Sequence, residues 1–278
     1  MTMTFTTLIS TGELADLLSD PAFGIAMVDC RFMLDDVEWG RREYLAGHVA
    51  GAVYADLDRD LSSAKTGTNG RHPLPSPEAL REAFSRLGIG DGVQVIAYDQ
   101  DNGMYASRLW WLLRWMGHDA VAVLDGGFAN WKGEVTSGEE HRSPREFVGA
   151  PRDDMLVAAD AVASAVWRLV DARAPERYRG EVEPLDKMAG HIPGAANHFY
   201  KLNLDSAGLF LPPGELRAHL GAVIGDASPE QVVSYCGSGV TGCHNLLALE
   251  HAGLHGARLY AGSWSEWSSD PSRPVAKG

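Results

Sequence analysis

The chain has 278 residues, 45% of them hydrophobic, and a formal net charge of −13. That length and composition suit one large or two medium globular domains with a sizeable core. The excess of 37 acidic over 24 basic residues argues against a broad nucleic-acid or anionic-membrane surface. No apolar run reaches the ~20 residues of a bilayer span.

In chain order, Met1-Thr2-Met3-Thr4-Phe5 lacks the basic start and cleavage pattern of a secretory signal, so a cytoplasmic location is expected. Thr11 to Leu18 reads as a short helix opened by a hydroxyl cap. Gly24 to Asp29 is an apolar run, read as a buried strand that ends at Asp29-Cys30-Arg31. Gly47 to Val53 reads as a turn and a short strand. Residues 57 to 77 are rich in Ser, Thr, Gly, Pro and Asn, and so form a long surface loop carrying Asp58 and His72. A helix (Glu78 to Leu87), a strand (Val93 to Asp99), an apolar helix (Ala106 to Met116) and a strand (Ala120 to Leu124) follow. Asp125 to Trp131 closes this half. Trp110, Trp111 and Trp115 are expected to serve packing.

From Glu134 the composition shifts to charged residues, Gly, Pro and Ser, which reads as a linker over 134–155 between domains 1–133 and 156–278. The same landmarks then return in the same order. Leu169-Val170-Asp171-Ala172-Arg173 echoes Met27 to Arg31, and Gly190-His191-Ile192-Pro193-Gly194-Ala195 echoes Gly47 to Ala52. Val232 to Tyr235 echoes Val95 to Tyr98, and Ala261 to Trp267 echoes Asp125 to Trp131. A near-constant spacing of about 140 positions marks a duplicated α/β domain. The copies differ where it matters: Cys236 in the second half stands opposite Asp99 in the first. One copy therefore reads as chemical and the other as structural, with a site expected between them.

The chemical copy centres on Cys236-Gly237-Ser238-Gly239-Val240-Thr241, a tight loop between a β-branched strand and a helix. Ligands bind at that end of a parallel strand. Gly237 and Gly239 let the loop turn its N–H groups inward, and the following helix adds partial positive charge, so both favour a thiolate. Cys243 reads either as a resolving thiol or as a buried packing residue. With Cys30 it completes a set of three cysteines. That set is too small for a disulfide framework, which points to a reducing compartment, and without a CxxC pair it makes a poor zinc site; no metal and no cofactor are expected.

Two copies of Asp-x-Arg, Gly-His-x-x-Gly-Ala and a strand-loop plan resemble the tandem-domain rhodaneses, and the resemblance spans nearly the whole chain. It implies two rhodanese-like domains, each a mainly parallel sheet flanked by helices, the first silent with Asp99 in place of the thiol. The loop Cys236 to Thr241 is similar to the 3-mercaptopyruvate sulfurtransferase branch. The resemblance implies that Cys236 accepts sulfur as a persulfide, held by the N–H groups of Gly237, Gly239, Val240 and Thr241. The implied donor is a small molecule and the implied acceptor a thiol such as thioredoxin, or cyanide. It also implies a relay of Ser238, His72 and Asp58, and a donor-binding role for Arg177, with Tyr105 at a pocket position. The branch's second arginine is missing: Glu183-Pro184-Leu185-Asp186 stands there, so either Arg179 or Lys187 substitutes or 3-mercaptopyruvate binds more weakly. The alternatives are thiosulfate as donor, a non-catalytic sulfur carrier or sensor, and a cysteine phosphatase. The last would need an arginine where Gly242 stands.

Overall fold

The computed structural model describes residues 4–19, 24–163 and 166–278, so Met1-Thr2-Met3 lie outside the described residues. The chain divides into two compact units. The first comprises the described parts of Met1–Ser62 with Pro75–Pro151 and Ser206–Leu209. The second comprises Ser63–Leu74, Arg152–Asp205 and Phe210–Gly278.

In the first unit, β1 (Leu8–Ile9) leads into α1 (Thr11–Leu18), whose capping box joins Ser10 and Glu13. Next come β2 (Ile25–Asp29), α2 (Trp39–Ala46), β3 (His48–Val49) and β4 (Val53–Tyr54). Then α3 (Pro77–Arg86), β5 (Gln94–Tyr98), α4 (Ala106–Trp115), β6 (Val121–Leu124), α5 (Gly127–Asn130) and β7 (Val135–Thr136) follow. Five strands form a parallel sheet in the order β1-β6-β5-β2-β4, and β7 pairs antiparallel with β3. The charged stretch after Glu134 is therefore not a free connection. It adds β7 to the first unit and buries Phe147 edge-on against Phe84. β5 and β6 are buried at every position, as expected of parallel strands covered on both faces.

The second unit repeats the plan in shorter form. α6 (Ala159–Val162), β8 (Arg168–Asp171), α7 (Pro175–Tyr178), β9 (Ala196–Asn197) and α8 (Pro213–Ile224) precede β10 (Val232–Tyr235), α9 (Thr241–His251), β11 (Arg258–Leu259) and α10 (Ser263–Trp267). The four strands run parallel in the order β11-β10-β8-β9, and the counterpart of β1 shrinks to a bridge between Leu156 and Leu259. α8 buries Leu216, Leu220 and Ile224, a one-face helical spacing.

The repeat holds at the level of single atoms. Arg31 grips Asp29 and donates to Gly47 O at 2.6 Å, while Arg173 grips Asp171 and donates to Gly190 O at 2.7 Å. Tyr98 Oη accepts from the Val49 N–H and Tyr235 Oη from the Ile192 N–H, each at 3.2 Å. His48 stacks on Tyr44, and His191 on Tyr178, each with Nδ1 2.8 Å from that tyrosine's carbonyl oxygen. The Asp-x-Arg and Gly-His signatures are thus scaffold. They tie the strand end to the turn that crosses it.

Candidate active site

Cys236 follows β10, and its side chain is 2% exposed. The N–H groups of Gly239 and Ser238 are directed at its sulfur, with N to Sγ distances of 3.2 and 3.5 Å. That turn needs glycine at 239: φ is +78°, and a Cβ would lie 2.3 Å from Ala261 O. Val240 is buried at the N-cap of α9, and Thr241 opens the helix, whose positive end therefore follows the cysteine loop. Gly242 packs against the Tyr235 backbone and Leu259, and no guanidinium occupies the sixth place after the thiol.

The loop is clamped from the far side by α10. Trp264 N–H donates to Cys236 O at 3.0 Å and Ser265 N–H to Gly237 O at 2.9 Å. Ser263 was not singled out by sequence. It holds φ of +55° although it is not glycine, and its hydroxyl accepts from the Cys236 N–H at 3.1 Å while donating to Tyr260 O at 2.9 Å. A strained backbone of this kind persists where the surroundings hold it. The available signal was the repeat itself, which sets Ser263 opposite Gly127. Trp264 and Trp267 are fully buried, so they form core behind the loop.

His72 lies early in the sequence, yet it packs within the second unit. Its Nδ1 is 2.8 Å from Ser238 Oγ, and both residues are buried. The structure thus brings Cys236, Ser238, His72 and the loop residues Gly237 to Thr241 together. Asp58 belongs to the first unit, in the turn capped by Asp56 Oδ1, which accepts from the N–H groups of Asp58 and Arg59 at 2.9 Å each. Tyr105 also belongs to the first unit. Its ring packs edge-on against Phe32, and its N–H donates to Asp99 at 2.7 Å.

Arg177 approaches the loop, with Nη1 and Nη2 at 3.4 and 3.6 Å from where a Gly237 Cβ would stand. Arg179 instead turns to Glu181, in an exposed pair of 2.7 and 3.0 Å contacts. A second guanidinium does reach the loop, that of Arg71, at 2.7 Å from the same Gly237 position. It stands beside His72, and no residue pattern in the sequence linked it to Gly237. Cys243 is fully buried in α9, with Sγ 3.2 Å from Gly239 O, as a packing residue of the helix.

A buried thiol aimed at by main-chain N–H groups, with a Ser–His pair beside it, is an arrangement suited to nucleophilic sulfur chemistry on an α/β fold. A rhodanese-like domain family matches residues 10–134 and 155–270, and the chain belongs to the rhodanese family. It is 46% identical over 280 residues to a probable 3-mercaptopyruvate sulfurtransferase of Pseudomonas aeruginosa, covering 98% of both chains. It is 41% identical over 284 residues to a putative thiosulfate sulfurtransferase of Mycobacterium tuberculosis, covering 98% of this chain and 97% of that one. Among solved structures, the 3-mercaptopyruvate sulfurtransferase from Leishmania major superposes with a TM-score of 0.85 at 32% identity, covering 95% of this chain and 74% of that chain.

Proposed function

We propose that this rhodanese-family sulfurtransferase takes its sulfur from 3-mercaptopyruvate and carries it as a persulfide on Cys236. The observation that supports this donor most directly is the 2.8 Å pairing of His72 Nδ1 with Ser238 Oγ beside the cysteine. The thiolate attacks the donor's sulfur, the carbon–sulfur bond breaks, and the electron pair leaves with the enolate of pyruvate. That enolate needs a proton, which a Ser–His pair can deliver. Thiosulfate loses sulfite with no proton required. The N–H groups at 3.2 and 3.5 Å from Sγ stabilise the anionic sulfur as it forms, and Arg177 suits the donor's carboxylate through a forked, charge-assisted contact. A thiol such as reduced thioredoxin, or cyanide in an assay, then attacks the outer sulfur and restores the Cys236 thiolate.

The three free cysteines support action in a reducing, cytoplasmic setting. Among the described residues, no helix is long and apolar enough to cross a membrane. The test compares kcat/KM for 3-mercaptopyruvate and thiosulfate on one preparation. We expect preference for 3-mercaptopyruvate, and complete loss of both turnover and the added sulfur mass in Cys236→Ser. A clear preference for thiosulfate overturns the donor and favours the second reading, which the Mycobacterium tuberculosis relative's name supports. A persulfide that forms without turnover would leave only a carrier.

A further inference from the structure

The guanidinium groups over Gly237 are not free. Arg71 Nη1 donates to Asp186 Oδ1, and Arg177 Nη2 donates to Glu183 Oε1 at 2.6 Å and to Asp186 Oδ2 at 3.5 Å. Asp186 thus gives one oxygen to each arginine. The two carboxylate side chains are 5% and 3% exposed for Asp186 and Glu183, against 25% and 18% for Arg71 and Arg177. The acids are enclosed while the cations remain partly open. Arg177 Nε is buried with no acceptor among the described residues. The Arg71 N–H is anchored on Ser265 Oγ at 3.0 Å. Beside the pair opens a cavity of about 230 Å³ lined by Gly70, Arg71, Leu185, Asp186, Lys187 and Ser265.

We propose that Arg71 is the second guanidinium of the donor clamp, and that Asp186 is its resident counter-ion and sets the charge the site accepts. The inference builds on 3-mercaptopyruvate as donor. Two arginines face Gly237, the residue next to the nucleophile, and a carboxylate bound across them would receive a charge-assisted bond from each. Arg71 comes from the segment that carries His72 and not from the segment around Leu185. The function lost at Leu185 is thus supplied from another part of the chain. Asp186 and Glu183 offset the two guanidinium charges at the clamp itself, while Lys65 and Lys187 line the adjoining cavity. Such a clamp takes a monoanionic carboxylate more readily than a dianion, because a second negative charge meets two enclosed carboxylates in a low-dielectric setting. Asp186 therefore discriminates against thiosulfate.

Arg71→Gln, Arg71→Lys and Asp186→Asn are tested with both donors, and pyruvate is titrated as a shield of Cys236 against iodoacetamide. Arg71→Gln should raise KM for 3-mercaptopyruvate by about tenfold or more and weaken pyruvate protection to a similar degree, with Arg71→Lys between it and the wild type. Asp186→Asn should raise kcat/KM for thiosulfate relative to 3-mercaptopyruvate by severalfold. A KM and a protection constant within twofold of wild type in Arg71→Gln overturn the role of Arg71. An unchanged donor ratio in Asp186→Asn overturns the charge filter. If the wild type fails to use 3-mercaptopyruvate but loses pyruvate protection in Arg71→Gln, the donor is wrong and the clamp stands.

Discussion

The loop after β5 and the loop after β10 are built alike and hold different atoms at their centres. In the first, Asp99 Oδ1 accepts from the N–H groups of Asp101 and Gly103 at 3.2 and 3.0 Å, and Oδ2 from those of Tyr105 and Ala106 at 2.7 and 3.1 Å. In the second, the centre is Cys236 Sγ, approached by two N–H groups. Both loops are clamped in the same way. Phe128 and Ala129 N–H groups hold the carbonyls of Asp99 and Gln100, as those of Trp264 and Ser265 hold Cys236 and Gly237. The cradle is thus a property of the fold, and its occupant decides its use. A carboxylate saturates the donors and locks the loop onto α4. A sulfur is a weaker acceptor and a strong nucleophile, so it leaves the donors available to charge that develops in a reaction.

Exchanging the occupants breaks the comparison most severely. Cys236→Asp should abolish sulfur transfer while leaving thermal stability unchanged or higher, because the carboxylate would find donors already in place. Retained transfer, or a fall in Tm of many degrees, would show that the two cradles are not equivalent. Asp99→Ala should leave the buried N–H groups of Gly103, Tyr105 and Ala106 without their acceptor and cost about 3 kcal/mol in denaturant unfolding. Burial raises the Asp99 pKa, while the N–H groups of Ala106, Tyr105 and Gly103 oppose that rise. A cost below about 1 kcal/mol would mean that water replaces the carboxylate.

Ser263→Gly copies the first-unit residue into the second and sharpens the comparison. Glycine relieves the positive φ, and loss of the hydroxyl leaves the Cys236 N–H unmatched, so stability should move by less than about 1 kcal/mol. Turnover should fall severalfold, since the loop amides lose one anchor. Wild-type kcat/KM in that variant would reduce Ser263 to a packing residue.

The smallest effect is a difference in acid sensitivity. Burial lowers the pKa of His118 in the first unit and of His198 and His251 in the second, with Asn203 opposing the shift at His198. The unfolded chain then binds protons that the folded chain refuses. This stability is complete above the ordinary histidine value of about 6.5 and is lost as pH falls through the lowered folded values. Tm should decline from pH 7.5 towards 5.5, and less steeply in His198→Gln. A flat profile over that range would remove these histidines as the acid-labile groups.

Much of the scaffold was legible in the chain as letters. Apolar runs marked β2, β5, β6 and β10, because parallel strands covered on both faces must be apolar throughout. The paired signatures Asp-x-Arg and Gly-His exposed the duplication, since a strand end and its crossing turn are tied by local bonds. Helices α2 and α8 went unread. The first buries little besides Gly40 and Tyr44, and the second buries only Leu216, Leu220 and Ile224 among exposed Gly214, Ala218 and Ala222, which dilute its apolar pattern.

The sequence by itself determined the duplicated plan, the Asp99 and Cys236 contrast, and the glycine that the turn at 239 requires. Each of these depends on neighbours in the chain or on a backbone angle that few residues adopt. The tertiary structure alone decided that His72 and Arg71 pack with the unit of Cys236, more than 160 positions away in sequence. It also decided that the Ser263 hydroxyl meets the Cys236 N–H, 27 positions away. Hydrogen bonds and ion pairs over such separations leave no periodicity in the chain. They exist only once the burial of apolar strands has brought the loops together.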